Sequence, residues 1–333
     1  MKPIPSIPPV GGSAERPLWS VMIPTFRPDR RYLTETLESV LQQAPGPGEM
    51  QIAIVDDHSD DDTARQVAET ANGRVEFHRQ AANTGMAGNW NHAITLARGH
   101  WVHLLHQDDL ALPGFYRKLQ TGIADQPDLG AAYTQHYMID GEGRRKGLMS
   151  LNSSRHSGIV SDWVQYVFVH LSIQTPSIVV KRAVYEQLGG FREDFRYALD
   201  WDMWKRIASQ YPIWFEPEPL ACYRRHASGA SMGFFLSGEN MLEVRKSIEL
   251  SRSYLPPEQA QAMASAAHER YRQDAVDSAI SALFTLRNPS MARRQFEQAK
   301  LFEGAASFPF LVAPLWIPRS WKWGFRWSNC WST

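Results

Sequence analysis

An apolar run that stops at two adjacent carboxylates constrains this chain more than any other feature. Residues 101–105 are mostly apolar, and the segment ends at Asp108 and Asp109 before Pro113 and Gly114 turn the chain. A buried strand that ends in acidic side chains is a natural place for a divalent cation, because Mg²⁺ and Mn²⁺ take carboxylate oxygens together with substrate phosphates. The same pair also fits a solvated acidic turn, so the rest of the sequence is needed to choose between a metal site and a turn.

Strands alternate with helices through the first 200 residues. The predicted strands cover 19–25, 51–55, 75–78 and 100–106, and helical spacing of apolar residues covers 31–43, 63–71 and 87–97. This order predicts βαβ units and a mostly parallel sheet. Such sheets bind ligands beyond the carboxyl ends of their strands. Because Pro24–Thr25, Asp56–Asp57 and Asp108–Asp109 each stand at or just after the end of a strand, we expect one polar site at that edge.

The remaining pattern divides the chain into four predicted parts. A flexible Pro/Gly/Ser-rich leader covers 1–17, an α/β domain covers 18–235, a helical subdomain covers 236–307, and a Trp-rich tail covers 308–333. Within the α/β domain the later predicted elements are a helix at 115–123, one or two strands at 129–139, a strand at 177–180, helices at 182–188 and 198–207, and closing strands at 214–216 and 221–226. We expect residues 144–160, which lack periodicity, to form a loop over the site.

Charge and cysteine content exclude several classes of protein. Lys and Arg balance Asp and Glu at 35 each, so no basic field points to nucleic acid. Cys222 and Cys330 make no disulfide framework, which predicts a reducing, cytoplasmic compartment. The leader lacks the apolar core of a signal peptide. Five Trp residues with three cations between 316 and 331 suit a membrane interface, and packing onto the chain's own helices or a second subunit is the alternative.

Taken together and in order, these segments resemble the family 2 glycosyltransferases, which have the GT-A fold. The resemblance covers roughly residues 18 to 231. The segments that carry it are Val21 to Phe26, Val55 to Ser59 with Asp61 and Thr63, Asn83 to Gly85 through Asn89 and Asn91, Gln107 to Asp109, Gly189 to Phe191, Asp200 to Arg206, and Tyr223 to His226 before Ser231. The expected fold is therefore a Rossmann-like, mostly parallel sheet flanked by helices, with a C-terminal helical extension.

The resemblance also implies a role for each residue of the predicted site. Asp200 would be the catalytic base, Asp109 and His226 would hold Mn²⁺ or Mg²⁺, and Trp201 would stack on the acceptor sugar unless it packs in the core with Trp204. The donor would meet Pro24, Thr25, Asp57, Asn83, Gly85 and Asp108. The implied donor is a UDP-, dTDP- or GDP-linked sugar. The predicted acceptor is a glycan or lipid-linked glycan, and only the Trp-rich tail places it at the inner face of the membrane.

The implied reaction agrees with the chemistry of these side chains. A metal clamp stabilises the charge that develops on a departing nucleoside diphosphate, and a carboxylate within reach can remove the proton of the attacking hydroxyl. A base on the face opposite the leaving group makes the displacement direct. The resemblance therefore implies an inverting hexosyl- or deoxyhexosyltransferase of bacterial-type cell-surface glycan synthesis.

Three departures from the family pattern leave alternatives open. Leu199 stands where Glu commonly precedes the base, so Asp202 competes with Asp200 unless it caps its helix. Gln107 replaces a carboxylate of the acidic run. Arg27 stands where Asn is frequent, which leaves the contact with the donor base open.

Structural roles compete with four of the functional ones. Asp57 also fits a cap for the helix entered at Thr63, and His226 also fits a buried core histidine. His103 and His106 alternate with Leu along the strand, and we interpret both as structural.

Two rival functions remain, a nucleotidyltransferase that makes activated sugars and a non-catalytic nucleotide-sugar binding module. The first normally has a Gly-rich, basic phosphate loop, which residues 24–28 do not form.

Overall fold

The computed structural model describes residues 2–11, 15–149, 156–226 and 229–303. These described residues divide into two compact units: the first holds those up to 167 and from 171 to 225, and the second holds 168–170 and those from 226 to 303. The division falls after Arg225, not at the predicted 235. The reason is that helix 230–237 packs with the helices that follow it.

The first unit is an α/β structure in which helices flank one central sheet of mostly parallel strands, as predicted. Its strands are β1 Trp19–Thr25, β2 Met50–Asp56, β3 Glu76–Arg79, β4 Trp101–Leu104, β5 Leu110–Ala111, β6 Ala131–Ile139, β7 Arg145–Met149, β8 Gly158–Ile159, β9 Ile178–Lys181 and β10 Ile213–Arg224. Its helices are α1 Arg30–Leu41, α2 Thr63–Glu69, α3 Gly85–Leu96, α4 Phe115–Ile123, α5 Trp163–Val169, α6 Arg182–Leu188 and α7 Leu199–Ala208, and α5 continues into the second unit.

The sheet order brings the carboxyl ends of four parallel strands side by side. The strands run β3-β2-β1-β4-β9-β6-β10-β5, and β1 pairs in parallel with both β2 and β4. Thr25 is the register partner of Asp56, and Met22 is the partner of Leu104. The chain therefore leaves β1, β2 and β4 along the same edge, where the sequence predicts the site.

Sequence patterning explains this arrangement. Every residue of β1 and of β2 is buried, as expected of strands covered on both faces. Helix α1 begins after Asp29, whose side chain accepts hydrogen bonds from the amides of Arg31 and Tyr32. Its Leu33, Leu37 and Val40 recur at helical spacing and pack in the same core as the strands.

Two local predictions in the first unit were wrong. Residues 144–160, predicted as a loop, contain β7 paired with β6 and β8 paired with β10, while residues 150–155 lie outside the described part. The two predicted closing strands are one strand, β10, whose register with β6 shifts between Glu216 and Ala221. Pro217 and Pro219 have no N–H to donate to the β-ladder, which explains the register shift. In the sequence the same two prolines look like a break between two strands.

The predicted flexible leader is also wrong for its described first residues. Ile7 is buried, Pro5 O accepts a hydrogen bond from the amide of Gly190 at 2.7 Å, and Pro8 O accepts one from Arg182. A Cβ on Gly190 would lie 2.2 Å from Asn91 Oδ1, so only glycine fits this approach. The segment packs through its backbone and a single apolar side chain, which composition alone does not reveal.

The second unit is helical, as predicted for the C-terminal extension. Its helices are α8 Ala230–Ser237, α9 Glu239–Ser251, α10 Pro257–Phe284 and α11 Pro289–Ala299. The buried faces of these helices carry Val244, Ile248 and Tyr271 among others. Over the described ranges, no helix is both long and apolar enough to cross a bilayer. The Trp-rich tail lies outside the described residues.

Replacing His58 by Gly is expected to stabilise the first unit. His58 has a φ of 61°, a left-handed conformation that costs a residue with a Cβ about 1–3 kcal/mol. Because Gly has greater freedom when unfolded, the net gain is about 1 kcal/mol, or roughly 2–4 °C in thermal unfolding midpoint. His58→Ala keeps the Cβ and should show no gain. An equal rise in both variants would mean that the His58 ring, rather than its backbone, is unfavourable.

Candidate active site

Buried polar groups fix the loops that leave β1 and β2. Asp56 is fully buried and accepts hydrogen bonds from Thr25 Oγ1, from the amide and hydroxyl of Ser59, and from Arg79 Nε at 2.8 Å. Since both of its oxygens are satisfied within the protein, Asp56 holds the loops together. Thr25 is 1 % exposed, and Pro24 precedes it within buried strand β1.

Asp57 caps helix α3, and not the helix entered at Thr63. Its Oδ1 accepts from the amide of Thr84 at 2.8 Å and its Oδ2 from the amide of Gly85 at 2.9 Å, while Gln80 and the Thr84 hydroxyl add two bonds to Oδ1. A carboxylate is favoured there by the unpaired amides and the dipole of the helix N-terminus. Sequence distance hid this partner, because α3 begins 28 residues further along the chain.

Asn83 and Gly85 form the turn that receives Asp57. Asn83 Nδ2 donates to Asp57 O at 3.1 Å, and Asn83 Oδ1 accepts from the amide of Gly85 at 3.2 Å. Gly85 has a φ of 77°, which favours glycine at this position. Asn83 is exposed. The structure thus brings Asp57, Asn83 and Gly85 together beside Thr25, whose O accepts from the amide of Asp57 at 2.8 Å.

Asp109 lies fully buried just beyond β4, next to the partly exposed Asp108. Its Oδ1 accepts from the main-chain amide of Arg224 at 2.8 Å. Its Oδ2 lies 3.3 Å from His106 Nδ1, outside hydrogen-bond geometry, and has no hydrogen-bond partner among the described residues. Burial, and then the charge of Asp108, raise the pKa of Asp109 to about 6.

His106 adjoins this pair, with Nδ1 3.3 Å from Asp109 Oδ2, and its structural interpretation stays a prediction. Its ring stacks on Trp90 with centroids 4.7 Å apart. Burial acts to lower the pKa of His106, but its close polar contact with Asp109, and then the charges of Asp109, Asp108 and Asp200, outweigh burial and raise that pKa above its ordinary value. His103 is structural as predicted, since its nitrogens lie 3.0 Å from Tyr116 Oη and from Pro176 O and burial lowers its pKa to about 3.

Gln107 ties the loop after β1 to the loop after β4. The amide of Phe26 donates to Gln107 Oε1 at 2.9 Å, and Gln107 Nε2 donates to Phe26 O at 3.3 Å. A carboxylate could accept the first bond but could not donate the second. The departure noted at position 107 therefore has a structural role that the sequence pattern did not reveal.

Asp200 lies in the first turn of α7 and is partly exposed, whereas Asp202 is fully buried. Asp202 Oδ2 accepts from Arg206 Nε at 3.0 Å, one turn along the helix. The charge of Asp200 adds, after those of Asp109 and Asp108, to the raised pKa of His106. Of the two candidate bases, Asp200 is the one with solvent access.

Trp201 and Trp204 are core residues. Both rings are at most 1 % exposed, and their indole nitrogens donate to Val167 O and Ile173 O. In this conformation neither ring has a face open to a sugar, so the stacking predicted for Trp201 is wrong. The core alternative holds because α7 is covered on nearly every side.

His226 is the first residue of the second unit, two residues beyond the end of β10. It is partly exposed. Its ligand role remains a prediction from the family resemblance.

The Asp108–Asp109 pair fits a hard divalent cation. The unbonded Asp109 Oδ2 is an anionic oxygen in a site where burial and a neighbouring carboxylate disfavour its charge. A cation would satisfy that oxygen and offset the paired negative charge. Mg²⁺ and Mn²⁺ need only one or two carboxylates when substrate phosphates complete the coordination.

A second acidic group lies in the second unit and includes none of the predicted ligands. Among the described residues, Glu249, His268 and Glu303 place ligand atoms within 4.8 Å of one another. Arg252 already donates to both carboxylates at 2.7 Å, and His268 Nε2 lies 2.6 Å from Glu249 Oε1. Because Arg252 and His268 both pair with the two carboxylates, this group is an ion-pair network.

Replacing the buried Lys205 by Met is expected to stabilise the chain, most strongly at low pH. Burial lowers the pKa of Lys205 from 10.5 to about 7, although Asp202 opposes the shift and the ammonium lies 3.6 Å from the Trp201 ring centroid. Between pH 7 and 10.5 the unfolded chain binds more protons, so wild-type stability rises with pH through this window. Lys205→Met should therefore gain about 2–3 kcal/mol at pH 6.

That gain should shrink as the pH rises toward 9, and thermal unfolding at both pH values measures it. Lys205→Arg is the matched control, because it keeps a charge at every pH and should gain nothing. A gain for Lys205→Met that does not change with pH would contradict titration of Lys205 as the cause.

Comparison with known proteins extends this description. The family model described as "Glycosyl transferase family 2" matches residues 20–188. An uncharacterized glycosyltransferase of Methanocaldococcus jannaschii is 27% identical over 218 residues, which cover 64% of this chain and 72% of that protein. The chondroitin synthase of Escherichia coli is 25% identical over 221 residues, covering 64% of this chain and 29% of that protein.

Solved structures share the fold at low sequence identity. Staphylococcus aureus TarS 1–349 in complex with UDP-GlcNAc superposes with a TM-score of 0.65 at 18% identity, covering 84% of this chain and 79% of that one. The mannosyltransferase PcManGT of Pyrobaculum calidifontis, in complex with GDP-Man and Mn²⁺, gives 0.54 at 18% identity, covering 90% of each chain. These likenesses show the fold alone.

Proposed function

This chain belongs to glycosyl transferase family 2, and we propose that it moves a sugar from a nucleotide-diphosphate sugar to an acceptor hydroxyl, with a divalent metal and with inversion. The observation that carries the proposal is the shared edge of β1, β2 and β4. Thr25, Asp57 and Asp108–Asp109 stand at or just beyond the ends of these strands, and Asp109 Oδ2 makes no hydrogen bond among the described residues.

The donor would bind across the ends of β1 and β2. Pro24, Thr25 and the Asp57–Gly85 turn would form the pocket for base and ribose, with Asn83 as its exposed polar side chain. Asp57 would shape this pocket, because both of its oxygens are already bonded to α3 and its neighbours. Relatives that bind UDP-GlcNAc or GDP-Man support a nucleotide-sugar donor.

Asp109 would hold Mn²⁺ or Mg²⁺, and Asp108 would lie against the ribose or sugar. The metal would supply the charge stabilisation that a departing nucleoside diphosphate needs. Asp109 suits this role because Oδ1 is held by the Arg224 amide, while Oδ2 faces His106 Nδ1 at 3.3 Å and makes no hydrogen bond among the described residues.

Asp200 would remove the proton of the acceptor hydroxyl. As that proton moves to Asp200, the acceptor oxygen bonds to the anomeric carbon and the bond from that carbon to the phosphate oxygen breaks. Asp200 suits this role because it is partly exposed and its charge acts on His106, which adjoins Asp109. Direct displacement inverts the anomeric configuration.

The proposed acceptor is a glycan or lipid-linked glycan. Similarity to a chondroitin synthase supports a role in polysaccharide synthesis. The Trp and cation content of 308–333 supports contact with the cytoplasmic membrane face. Flotation of the full chain with anionic liposomes tests that contact, and recovery wholly away from the vesicles would contradict it.

Slow hydrolysis of the donor tests the reaction without knowledge of the acceptor. We expect α-linked UDP-, dTDP- or GDP-sugars to release nucleoside diphosphate only with Mn²⁺ or Mg²⁺ present. The first sugar anomer seen by proton NMR, before mutarotation, should be β. Initial release of the α anomer would contradict inversion, and release of nucleoside monophosphate would point to a different bond being cleaved.

A further inference from the structure

Arg224 is the last residue of β10, and its buried side chain reaches the Asp108–Asp109 turn. Its Nε donates to Asp108 O at 2.8 Å, in addition to the main-chain bond from its amide to Asp109 Oδ1. One residue therefore holds both the backbone of this turn and one oxygen of the buried carboxylate. Neither composition nor spacing singles Arg224 out for this task.

The far side of the guanidinium is fixed by a separate set of contacts. Nη2 donates to Glu35 Oε2 on α1 at 2.6 Å, and Nη1 lies 3.5 Å from Asp140 O and 3.4 Å from Gly141 O. The guanidinium also lies over the Tyr32 ring, 4.5 Å from its centroid. These contacts hold the planar guanidinium from several directions, so Nε has little freedom to move away from Asp108 O.

This arrangement decides which oxygen of Asp109 can meet a cation. With Oδ1 bonded to the Arg224 amide, the carboxylate cannot rotate without losing that bond, and Oδ2 stays unbonded among the described residues. The guanidinium on Asp108 O prevents the peptide between the two Asp residues from turning. Partners of this kind around metal ligands typically change metal affinity about 10–100-fold when they are removed.

We propose that Arg224 is a positioning residue that orients Asp109 Oδ2 toward the metal and so sets the affinity of the site for the cation. The proposal rests on the function proposed above, since it needs a metal-binding Asp109. It assigns Arg224 no contact with substrate. Its consequence is a change in metal binding that is separable from a change in stability.

The test measures binding of Mn²⁺ to the full chain by electron paramagnetic resonance of the free ion, with saturating UDP, dTDP or GDP. Arg224→Lys keeps the charge but not the planar guanidinium, and Arg224→Gln removes the charge. We expect the Mn²⁺ dissociation constant to rise about 10–100-fold in both. Binding of the nucleoside diphosphate without metal should change little.

Arg31→Gln is the matched control. Arg31 lies on α1, as Glu35 does, and like Arg224 it reaches Gly141 O, but it pairs with Glu142 at the surface. Its loss should leave Mn²⁺ affinity unchanged. A purely structural role of Arg224 would lower the thermal unfolding midpoint while the folded variants bind Mn²⁺ as tightly as wild type, and that result would overturn the proposal.

Glu35→Gln decides the question if the Arg224 variants do not fold. It removes the ionic partner of Arg224 but keeps an acceptor, and we expect a weaker, same-direction loss of Mn²⁺ affinity. Unchanged affinity would overturn the proposal. If wild type binds no Mn²⁺ with any of the three nucleotides, both the proposed function and this inference are contradicted. If wild type binds and every variant binds equally, only the inference fails.

Discussion

Asp200→Asn is expected to reduce the rate of sugar transfer by about 10²–10⁴-fold, the usual contribution of a general base. The amide has nearly the shape of the carboxylate but cannot accept the proton of the acceptor hydroxyl. Asp200 Oδ1 also accepts from the amide of Trp201 at 2.7 Å, a bond that Asn can keep. Donor binding should therefore be unchanged, and steady-state kinetics should show the loss in kcat.

Asp202→Asn is the comparison that separates the two candidate bases. Asp202 is buried and bonded to Arg206, so its substitution should lower thermal stability and leave the chemical step largely intact. A loss of kcat in Asp202→Asn with none in Asp200→Asn would move the base to Asp202. Normal transfer by Asp200→Asn would contradict the proposed mechanism.

Asp109→Asn is expected to reduce transfer by about 10³-fold or more, because metal stabilisation of the leaving group is worth several kcal/mol. Asn can still accept from the Arg224 amide at the position of Oδ1. It presents an amide nitrogen or a neutral oxygen where the metal needs an anion. The variant should also fold at least as stably as wild type, since burial disfavours the charge that it removes.

The measurement is transfer rate against Mn²⁺ concentration, together with thermal unfolding. Excess Mn²⁺ should restore part of the activity of Asp109→Asn, because the remaining ligands still bind weakly. Asp125→Asn, an exposed carboxylate after α4, should behave as wild type. Full activity of Asp109→Asn at low Mn²⁺ would rule out Asp109 as the ligand.

The sequence predicts the frame of the site well because its signals are local. Apolar runs that end at Pro24–Thr25, Asp56–Asp57 and Asp108–Asp109 predict three parallel strands with polar ends, and the sheet confirms that these ends share an edge. The glycosyltransferase resemblance is confirmed by the match over 20–188.

Interactions between distant segments are what the sequence could not predict. The sequence offers Asp57 the helix that begins nearby at Thr63 as a helix to cap. Asp57 instead caps α3, because the fold of the sheet edge brings Thr84 and Gly85 to it. Arg224 reaches Asp108 across 116 residues, and Pro5 meets Gly190 through backbone atoms alone. Such contacts depend on the completed sheet, and they leave no periodic signal in the chain.

Burial also changed the interpretation of individual side chains. Trp201 sits beside Asp200 in sequence, which favours a substrate contact, but the helix turns its ring into the core. His103 and His106 share one strand pattern and differ only in what surrounds them. His103 faces Tyr116 and Pro176 O, while His106, just beyond β4, adjoins Asp109. Both are histidines in the same alternating pattern, so the sequence alone does not distinguish their surroundings.

Thermal stability of the full chain against UDP-, dTDP- and GDP-linked sugars, with and without Mn²⁺, tests the central claim most directly. Ligand that binds the folded state raises apparent stability by about 2.7 kcal/mol at 100 times its dissociation constant. We predict a rise in unfolding midpoint with one nucleotide, which requires Mn²⁺ and is lost in Asp109→Asn. No rise with any nucleotide, with or without Mn²⁺, would contradict a nucleotide-sugar site at this edge of the sheet.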